Sequence, residues 1–364
     1  MKLSFLCPSY NHAREIGTFL DSLAAQTDPD WEAIIVDDAS TDGTAGQVKR
    51  FEDSRVRLIR HGFNRGMTAG LNDAFDASSG ELVTFFGTDD VLKSDFVAEM
   101  KSMFRTESDL GAIYTPLATI DANGSSTGEI IPLPELSKDA LFSELFCNWN
   151  CLPSPGMTMR RDVMARMSPL PEGLIMYTDY LMHLEIVAHC RVAFQPKPLV
   201  LYRTSAKGKG AGISMESNVT DMRSSLELDT LMNRACDIVK EDLCLFNRLF
   251  VPIGVEAKSI EEIPYLLGKV LLKSPMLEKR KWGVRKIMEL LSERNLAERL
   301  HSRFGVTYAD YLKLSSDVAV SDKLQTKYRR LRRRCRILYI LLAAFFTISV
   351  VLLVLCMLKF RGVA

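Results

Sequence analysis

The chain of 364 residues is short of the side chains by which many nucleotide and metal sites are recognised. Histidine occurs five times and cysteine eight times. The cysteines are scattered in apolar surroundings, and only Cys147 and Cys151 stand close together, with no histidine beside them. A zinc site needs more ligands than that, so buried or reduced thiols are expected. Two phosphate-binding motifs are missing as well. No G-x-G-x-x-G follows the first apolar run, where Pro8-Ser9-Tyr10-Asn11 stands, and no G-x-x-x-x-G-K-[ST] occurs anywhere. That excludes a Rossmann dinucleotide site and a P-loop, because GKGAG at 208–212 follows the wrong element for either. The N-terminal apolar stretch breaks at Pro8, too early for a signal-peptide core, so a reducing cytoplasm is the expected compartment. Charged residues at 25% and hydrophobic residues at 47% are ordinary for a globular chain and exclude a disordered, collagen-like or disulfide-dense protein.

The net charge of +1 conceals an asymmetry. Residues 321–364 carry ten Lys or Arg against the single acid Asp322, which leaves residues 1–320 acidic. An acidic body counts against a nucleic-acid-binding surface. Residues 337–358 are 22 in number and hold no charge. As a helix they would measure about 33 Å, enough to cross a hydrocarbon core of roughly 30 Å. Seven basic residues precede them between Lys327 and Arg336, and only Lys359 and Arg361 follow. This bias predicts a single-pass anchor in the inner (cytoplasmic) membrane, the body on the cytoplasmic side and the basic run against anionic lipid head groups.

Between the ends, short apolar runs alternate with helical spacing. Residues 2–7, 31–36, 56–60, 82–86 and 113–119 read as strands, and 15–25, 67–77 and 94–104 as helices. The alternation implies βαβ units and a mostly parallel sheet flanked by helices. Residues 121–134 read as a loop or irregular edge and 136–146 as a helix, with a short strand and helix within 153–164. A helix over 179–190 and a strand over 192–202, interrupted by Pro196 and Pro198, follow. The Gly/Lys-rich stretch 205–214 reads as a flexible loop that could fold over a bound diphosphate, or as a plain linker. The pattern from about 218 to 315 is helical. The predicted organisation is a catalytic domain over 1–205, a helical appendage over 206–326, a basic juxtamembrane segment over 327–336 and a transmembrane helix over 337–358.

In such sheets ligands bind beyond the carboxyl ends of the strands. There the chain has Asp37-Asp38 after the second strand and Gly87-Thr88-Asp89-Asp90 after the fourth. Adjacent acids without basic neighbours call for a cation or hydrogen-bond donors. A hard divalent ion with oxygen ligands, Mg²⁺ or Mn²⁺ bridging to phosphate, suits two such pairs on one rim.

With these residues in place, the strings CPSYNHAREI, IIVDDASTDGT, NRGMTAGLNDAFDASSGELVTFFGTDD and YTDYLMHLEIVAHCRVAFQPKPLVLYR, in that order over residues 3–203, resemble glycosyltransferase family 2, inverting enzymes of GT-A fold. The resemblance implies a GT-A nucleotide-sugar-binding domain. It implies that Pro8 and Tyr10 line the base, that Asp38 accepts a hydrogen bond from the base, typically uracil N3–H, and that Asp37 shapes the loop and can reach the base or ribose. Asn64, Arg65 and Gly66 would lie over the ribose and diphosphate. Asp89 would approach the ribose, Asp90 the metal, and Tyr202 and Arg203 would close the nucleotide side. Asp179 matches the catalytic base, with Glu185 the alternative carboxylate. The chain departs from the common pattern at Gly87, where many members carry an extra Asp, and at Thr178, where many carry Glu. None of the histidines, His12, His61, His183, His189 and His301, sits at a family catalytic position, and structural roles are expected for them.

The resulting expectation is a metal-dependent inverting transferase. It would move a sugar from a nucleoside-diphosphate sugar, UDP-sugar favoured, to a hydroxyl of a lipid-linked saccharide or cell-surface glycan. A polyprenyl-phosphate glycosyltransferase and a non-catalytic nucleotide-sugar-binding scaffold are the alternatives. A processive synthase fits less well, because EKRKW at 278–282 is the nearest string to its Q-x-x-R-W motif.

Overall fold

The computed structural model of the chain describes residues 1–204, 218–319, 327 and 331. The predicted transmembrane helix, nearly all of the basic run before it and the Gly/Lys loop from 205 lie outside the described residues. Among the described residues no helix is long and apolar enough to cross a membrane.

In chain order the elements are β1 (Leu3–Ser9), α1 (Ile16–Ala24), β2 (Trp31–Asp37), α2 (Thr44–Arg50), β3 (Val56–Arg60), α3 (Met67–Ala77), β4 (Leu82–Phe85), β5 (Val91–Leu92), α4 (Phe96–Thr106) and β6 (Leu110–Tyr114). There follow β7 (Leu117–Ile120), β8 (Ser126–Ile131), α5 (Lys138–Cys147), β9 (Thr158–Arg160), α6 (Arg161–Met167), α7 (Thr178–His189), β10 (Arg191–Phe194) and β11 (Val200–Arg203). The helical region comprises α8 (Asn218–Val239), α9 (Leu243–Phe250), α10 (Ile263–Leu271), α11 (Leu277–Ser292) and α12 (Arg294–Phe304).

Among the described residues the strands make two sheets, one of seven in the order β10-β6-β9-β4-β1-β2-β3 and one of four in the order β5-β11-β7-β8. β1 and β2 are buried along their whole length. Strands covered on both faces read as continuous apolar runs, which is why LSFLCPS and WEAIIVD lack alternation. Every pairing in the large sheet is parallel except those of β9, which runs antiparallel between β4 and β6. Phe5, Phe19, Trp31, Phe86 and Phe96 are fully buried under it. Phe19 stacks on Phe86 with ring centroids 5.5 Å apart, and Phe5 meets Trp31 and Phe86 edge-on.

The expected mostly parallel sheet is present, but two single strands of the sequence reading are each two strands. Residues 113–119 divide at Thr115-Pro116 into β6 of the large sheet and β7 of the small one. Residues 192–202 divide around Pro196 and Pro198 into β10 and β11, again one to each sheet. Proline has no N–H for a ladder, so both runs break where it stands. The breaks are tied together: the Thr115 hydroxyl donates to the Lys197 carbonyl (2.9 Å) and accepts the Leu199 N–H (3.2 Å). The 121–134 stretch contains β8, exposed at every residue on the edge of the small sheet.

The chain divides into compact units at Lys286/Ile287. In the first unit α9 brings Phe250 against Phe142 and Phe146 of α5, with ring centroids 5.8 and 5.4 Å apart, and Phe246 stacks on Phe250 at 4.7 Å. Lys279 of α11 is fully buried there and donates to the carbonyls of Leu145 and Phe146 and to the Tyr180 hydroxyl. Burial lowers its ammonium to about 7. In the second unit, only Leu300 is buried on α12.

Candidate active site

The loops after β1, β2 and β4 are stitched to one another. Asp38 N–H donates to the Ser9 carbonyl, and Asn11 N–H to the Ser40 hydroxyl, both at 2.9 Å. The Thr88 hydroxyl lies 2.7 Å from His12 Nδ1 and donates to the Ser9 hydroxyl at 2.8 Å. Asn11 and Ala39 take positive φ angles, 56° and 61°. Of the two residues expected to line a base, Tyr10 is 46% exposed, whereas Pro8 is buried in β1 against Gly70 of α3.

The Asp37 and Asp38 pair ends β2, and its two members do different work. Asp37 is wholly buried, and its Oδ2 pairs with Arg60 Nε at 3.1 Å. Its carbonyl accepts the N–H groups of Ala39 and His61. Asp37 is thus turned into the protein, toward Arg60. Asp38 Oδ1 accepts the Arg65 N–H and faces His61 Nδ1, each at 2.7 Å, and Oδ2 accepts the Gly66 N–H at 2.8 Å. Its carbonyl takes the Asn64 amide at 3.4 Å. Asn64, Arg65 and Gly66 are therefore assembled around Asp38. Gly66 has φ 90° and ψ 161°, a conformation that only glycine adopts freely. Asp38 thus commits three of about four carboxylate acceptor positions to the protein itself.

His61, for which a structural role was expected, and Asp73, which was not singled out from the sequence, complete this cluster. His61 Nε2 is 2.8 Å from Asp73 Oδ2, so each ring nitrogen faces a carboxylate. Both contacts are hydrogen bonds only when the ring donates from each nitrogen. Arg65 pairs with Asp73 (2.7 Å) and Glu172 (3.2 Å). The available signal was position: His61 directly follows β3, as Asp38 follows β2.

Asp90 is 2% exposed. Burial, and then the charge of Asp89, hold its carboxyl well above the usual carboxylate range. Its Oδ1 accepts the Arg203 N–H at 2.8 Å. The Arg203 side chain donates to the carbonyls of Asp89, Asp121 and Ala122, so it fastens the end of β11 to the Asp89-Asp90 turn. At Gly87 a Cβ would stand 2.7 Å from Asp89 Oδ1 and 3.6 Å from Asp90 Oδ2. Two carboxylate oxygens thus converge on the space over that glycine, and a further acid at 87 would require the Asp89 carboxylate to turn aside. Among the described residues no three His, Cys, Asp or Glu side chains form a metal-sized group. A divalent cation would fit only with most ligands supplied by diphosphate and water, which is the habit of Mg²⁺.

Asp179 is half-buried in the first turn of α7. The Ser154 hydroxyl donates to its Oδ2 and the Tyr180 N–H to its Oδ1 (2.7 Å). Ser154, on the loop before β9, is a second contributor that the sequence reading did not pick out. Thr178, where an acid was the common pattern, is buried against α3 and shares a 2.7 Å hydrogen bond with Thr68. Glu185 lies further along α7 and pairs with His189 at 3.6 Å. Tyr202 lies on β11, next to Arg203. Its phenol is pushed up to about 12 by burial and by the charges of Asp90, Asp89 and Asp179.

The family model Glycosyl transferase family 2 matches residues 4–167. An uncharacterized glycosyltransferase of Nostoc sp. is 31% identical over 175 residues, which cover 47% of this chain and 54% of that protein. A UDP-Glc:alpha-D-GlcNAc-diphosphoundecaprenol beta-1,3-glucosyltransferase of Escherichia coli is 27% identical over 41% of this chain and 58% of its own length. The chain thus spans little more than half the length of these relatives. The crystal structure of S. aureus TarS 1–349 in complex with UDP-GlcNAc superposes with a TM-score of 0.53 over 80% of this chain and 85% of that one, at 18% identity. This likeness extends the shared fold past the matched segment. Over residues 4–167 the chain is thus similar to glycosyl transferase family 2.

Proposed function

We propose that the chain is an inverting, metal-dependent glycosyltransferase that moves a sugar from a nucleoside-diphosphate sugar, a UDP-sugar first, to a hydroxyl of a lipid-linked saccharide or cell-surface glycan. The observation that carries it is the rim built at the strand ends, where Arg203 of β11 fastens the Asp89-Asp90 turn and Asp38 gathers the Arg65 and Gly66 backbone. Asp90, with Asp89, would hold a Mg²⁺ or Mn²⁺ ion, which when bound supplies positive charge to the leaving diphosphate. Tyr10 offers an exposed ring to the base. Asp179 takes the proton from the acceptor hydroxyl as that oxygen attacks the anomeric carbon from the face opposite the leaving group. The Ser154 hydroxyl holds the Asp179 carboxylate in one orientation, so its remaining lone pairs are aimed before the acceptor arrives.

The E. coli relative is named for a diphosphoundecaprenol-linked acceptor, and this supports a lipid-linked substrate here. Residues 337–358 are the proposed anchor, which would hold the enzyme on the cytoplasmic face of the inner membrane and raise the effective concentration of such an acceptor. The test is mass spectrometry of products from a panel of nucleotide-sugars with lipid-linked saccharide, or with polyprenyl phosphate alone, as acceptor. A glycosylated saccharide is expected. Transfer to polyprenyl phosphate alone would establish the alternative, and no product with any donor would favour a scaffold. Asp179→Asn should bind donor normally and lose about 10²–10⁴ in rate. Equal losses of donor affinity and rate would make Asp179 a binding residue.

A further inference from the structure

The turn that leads into α7 is held from two sides. On one side α3 grips it: Thr68 donates to the Leu174 carbonyl, and the Asn72 amide exchanges two hydrogen bonds of 2.9 Å with the backbone of Leu170. On the other side stands Glu227 of α8, a buried carboxylate. Its Oε2 accepts three consecutive backbone N–H groups, those of Ile175 (2.9 Å), Met176 (2.6 Å) and Tyr177 (3.3 Å). The neighbouring Ser224 hydroxyl meets the Tyr177 phenol. From α11, Lys279 Nζ donates to the Tyr180 hydroxyl at 2.8 Å. Tyr177 and Tyr180 bracket Asp179 in the sequence, and both are fastened by helices that lie beyond the family match at residue 167.

We propose that Glu227 is a positioning residue for Asp179, so that the helical region takes part in catalysis by fixing the first turn of α7. The inference rests on the reading of Asp179 as the base. Three successive N–H groups pointing at one oxygen fix the path of the turn, because a carboxylate can satisfy all three in only one arrangement of that backbone. Asp179 follows Tyr177 by two residues within the helix this turn begins. A displacement of about 1 Å at a reacting group can cost about 10²-fold in rate. Loss of Glu227 would leave the three N–H groups without their acceptor and free the turn to move.

The test compares Glu227→Ala, Glu227→Asp and Glu227→Gln in the full chain, with UDP-sugar as donor. Glu227→Ala should lower kcat by about 10- to 100-fold with donor KM unchanged. Glu227→Gln keeps an oxygen at the same reach and should recover most of the rate. Glu227→Asp keeps the charge with a shorter reach and should fall between them, which provides a reading if the alanine variant is unstable. Amide exchange at 175–177 should rise in the Ala and Asp variants and stay unchanged at 87–90. In an Asp179→Asn background, Glu227→Ala should cost nothing further, because a positioning residue has nothing left to position. A full further loss in that background, a parallel loss of donor affinity without rescue by Gln, or unchanged exchange at 175–177 would overturn the proposal. Wild-type turnover in Asp179→Asn alone would overturn the base assignment instead, and the exchange data would still report on the turn.

Discussion

Ala39 holds a φ of 61° between the Asp37-Asp38 pair and Ser40, in a region that side chains bearing a Cβ disfavour by about 1–2 kcal/mol. Glycine would remove that cost and add about 0.5–1 kcal/mol of chain entropy to the unfolded state. We therefore expect Ala39→Gly to stabilise the protein by up to about 1 kcal/mol in urea titrations, and a lower midpoint would contradict the strain. Asp90→Ala should abolish transfer and leave the fold intact, because the buried carboxyl gives up one bond from the Arg203 N–H while the Arg203 side chain still holds the carbonyls of Asp89, Asp121 and Ala122. Metal-dependent turnover near the wild-type rate in that variant would show that the cation lies elsewhere. At this scale the sequence was informative where chemistry is local: adjacent acids after β2 and β4 read as a site, and the structure brings Asn64, Arg65 and Gly66 to Asp38. It gave His61 only a structural role without its partners, and it was silent about Asp73, Ser154 and Glu227. Their partners are far away in the chain, up to the 52 residues between Ile175 and Glu227, and no spacing rule reports such contacts.

Helix α11 meets α10 at Gly283, where a Cβ would stand 2.5 Å from the Gly268 carbonyl oxygen. Alanine inside a helix is normally favoured over glycine by about 1 kcal/mol. Here the obstacle is backbone, so the helices must separate, and overpacking typically costs about 1–3 kcal/mol. Packing wins, and Gly283→Ala should lower stability by roughly 1–2 kcal/mol against a propensity that points the other way; a gain would show that the two helices slide apart freely. The elements of the large sheet were legible because buried parallel strands leave continuous apolar runs between amphipathic helices. The small sheet was not. Its β7 and β11 continue strands of the large sheet across a proline, and hydropathy alone cannot show that a chain changes sheets at Pro116 or between Pro196 and Pro198.

On the scale of the whole molecule, burial lowers the imidazole of His183 to about 4, with a partial opposing effect from Asp179. His183 is fully buried, beside the Tyr114 hydroxyl at 3.1 Å. Between about pH 6.5 and pH 4 the unfolded chain binds a proton there and the native protein does not, so stability falls as pH falls through that window. The expected loss from pH 7 to pH 5 is about 2 kcal/mol, and His183→Gln should remove that part of the slope. An unchanged slope in the variant would place the proton uptake on another group. A piece ending at residue 205 would strip Phe250 from Phe142 and Phe146, so we expect it to aggregate on expression. A monomeric, cooperatively melting 1–205 piece would show that the helical region is dispensable for folding.

The antiparallel strand β9 has a kinetic consequence. It seats between β4 and β6, pairing Leu82 with Arg160 and Ala112 with Met159. Both flanking strands precede it in the chain, so each waits with a bare edge until residue 160 arrives. The ladder β3-β2-β1-β4 needs nothing after residue 85 and can close early. The β6-β10 pair joins it only through β9. Non-local closures of this kind are slow and leave edges open to other chains meanwhile. During refolding, amides of β1 and β2 should gain protection from exchange first, and those of β4, β6 and β9 that face one another should gain it together and later. Substituting Met159 with proline should then leave a long-lived species whose first half is formed and whose open sheet edge recruits a second copy. Simultaneous protection of β2 and β9 would mean that the sheet forms in a single step.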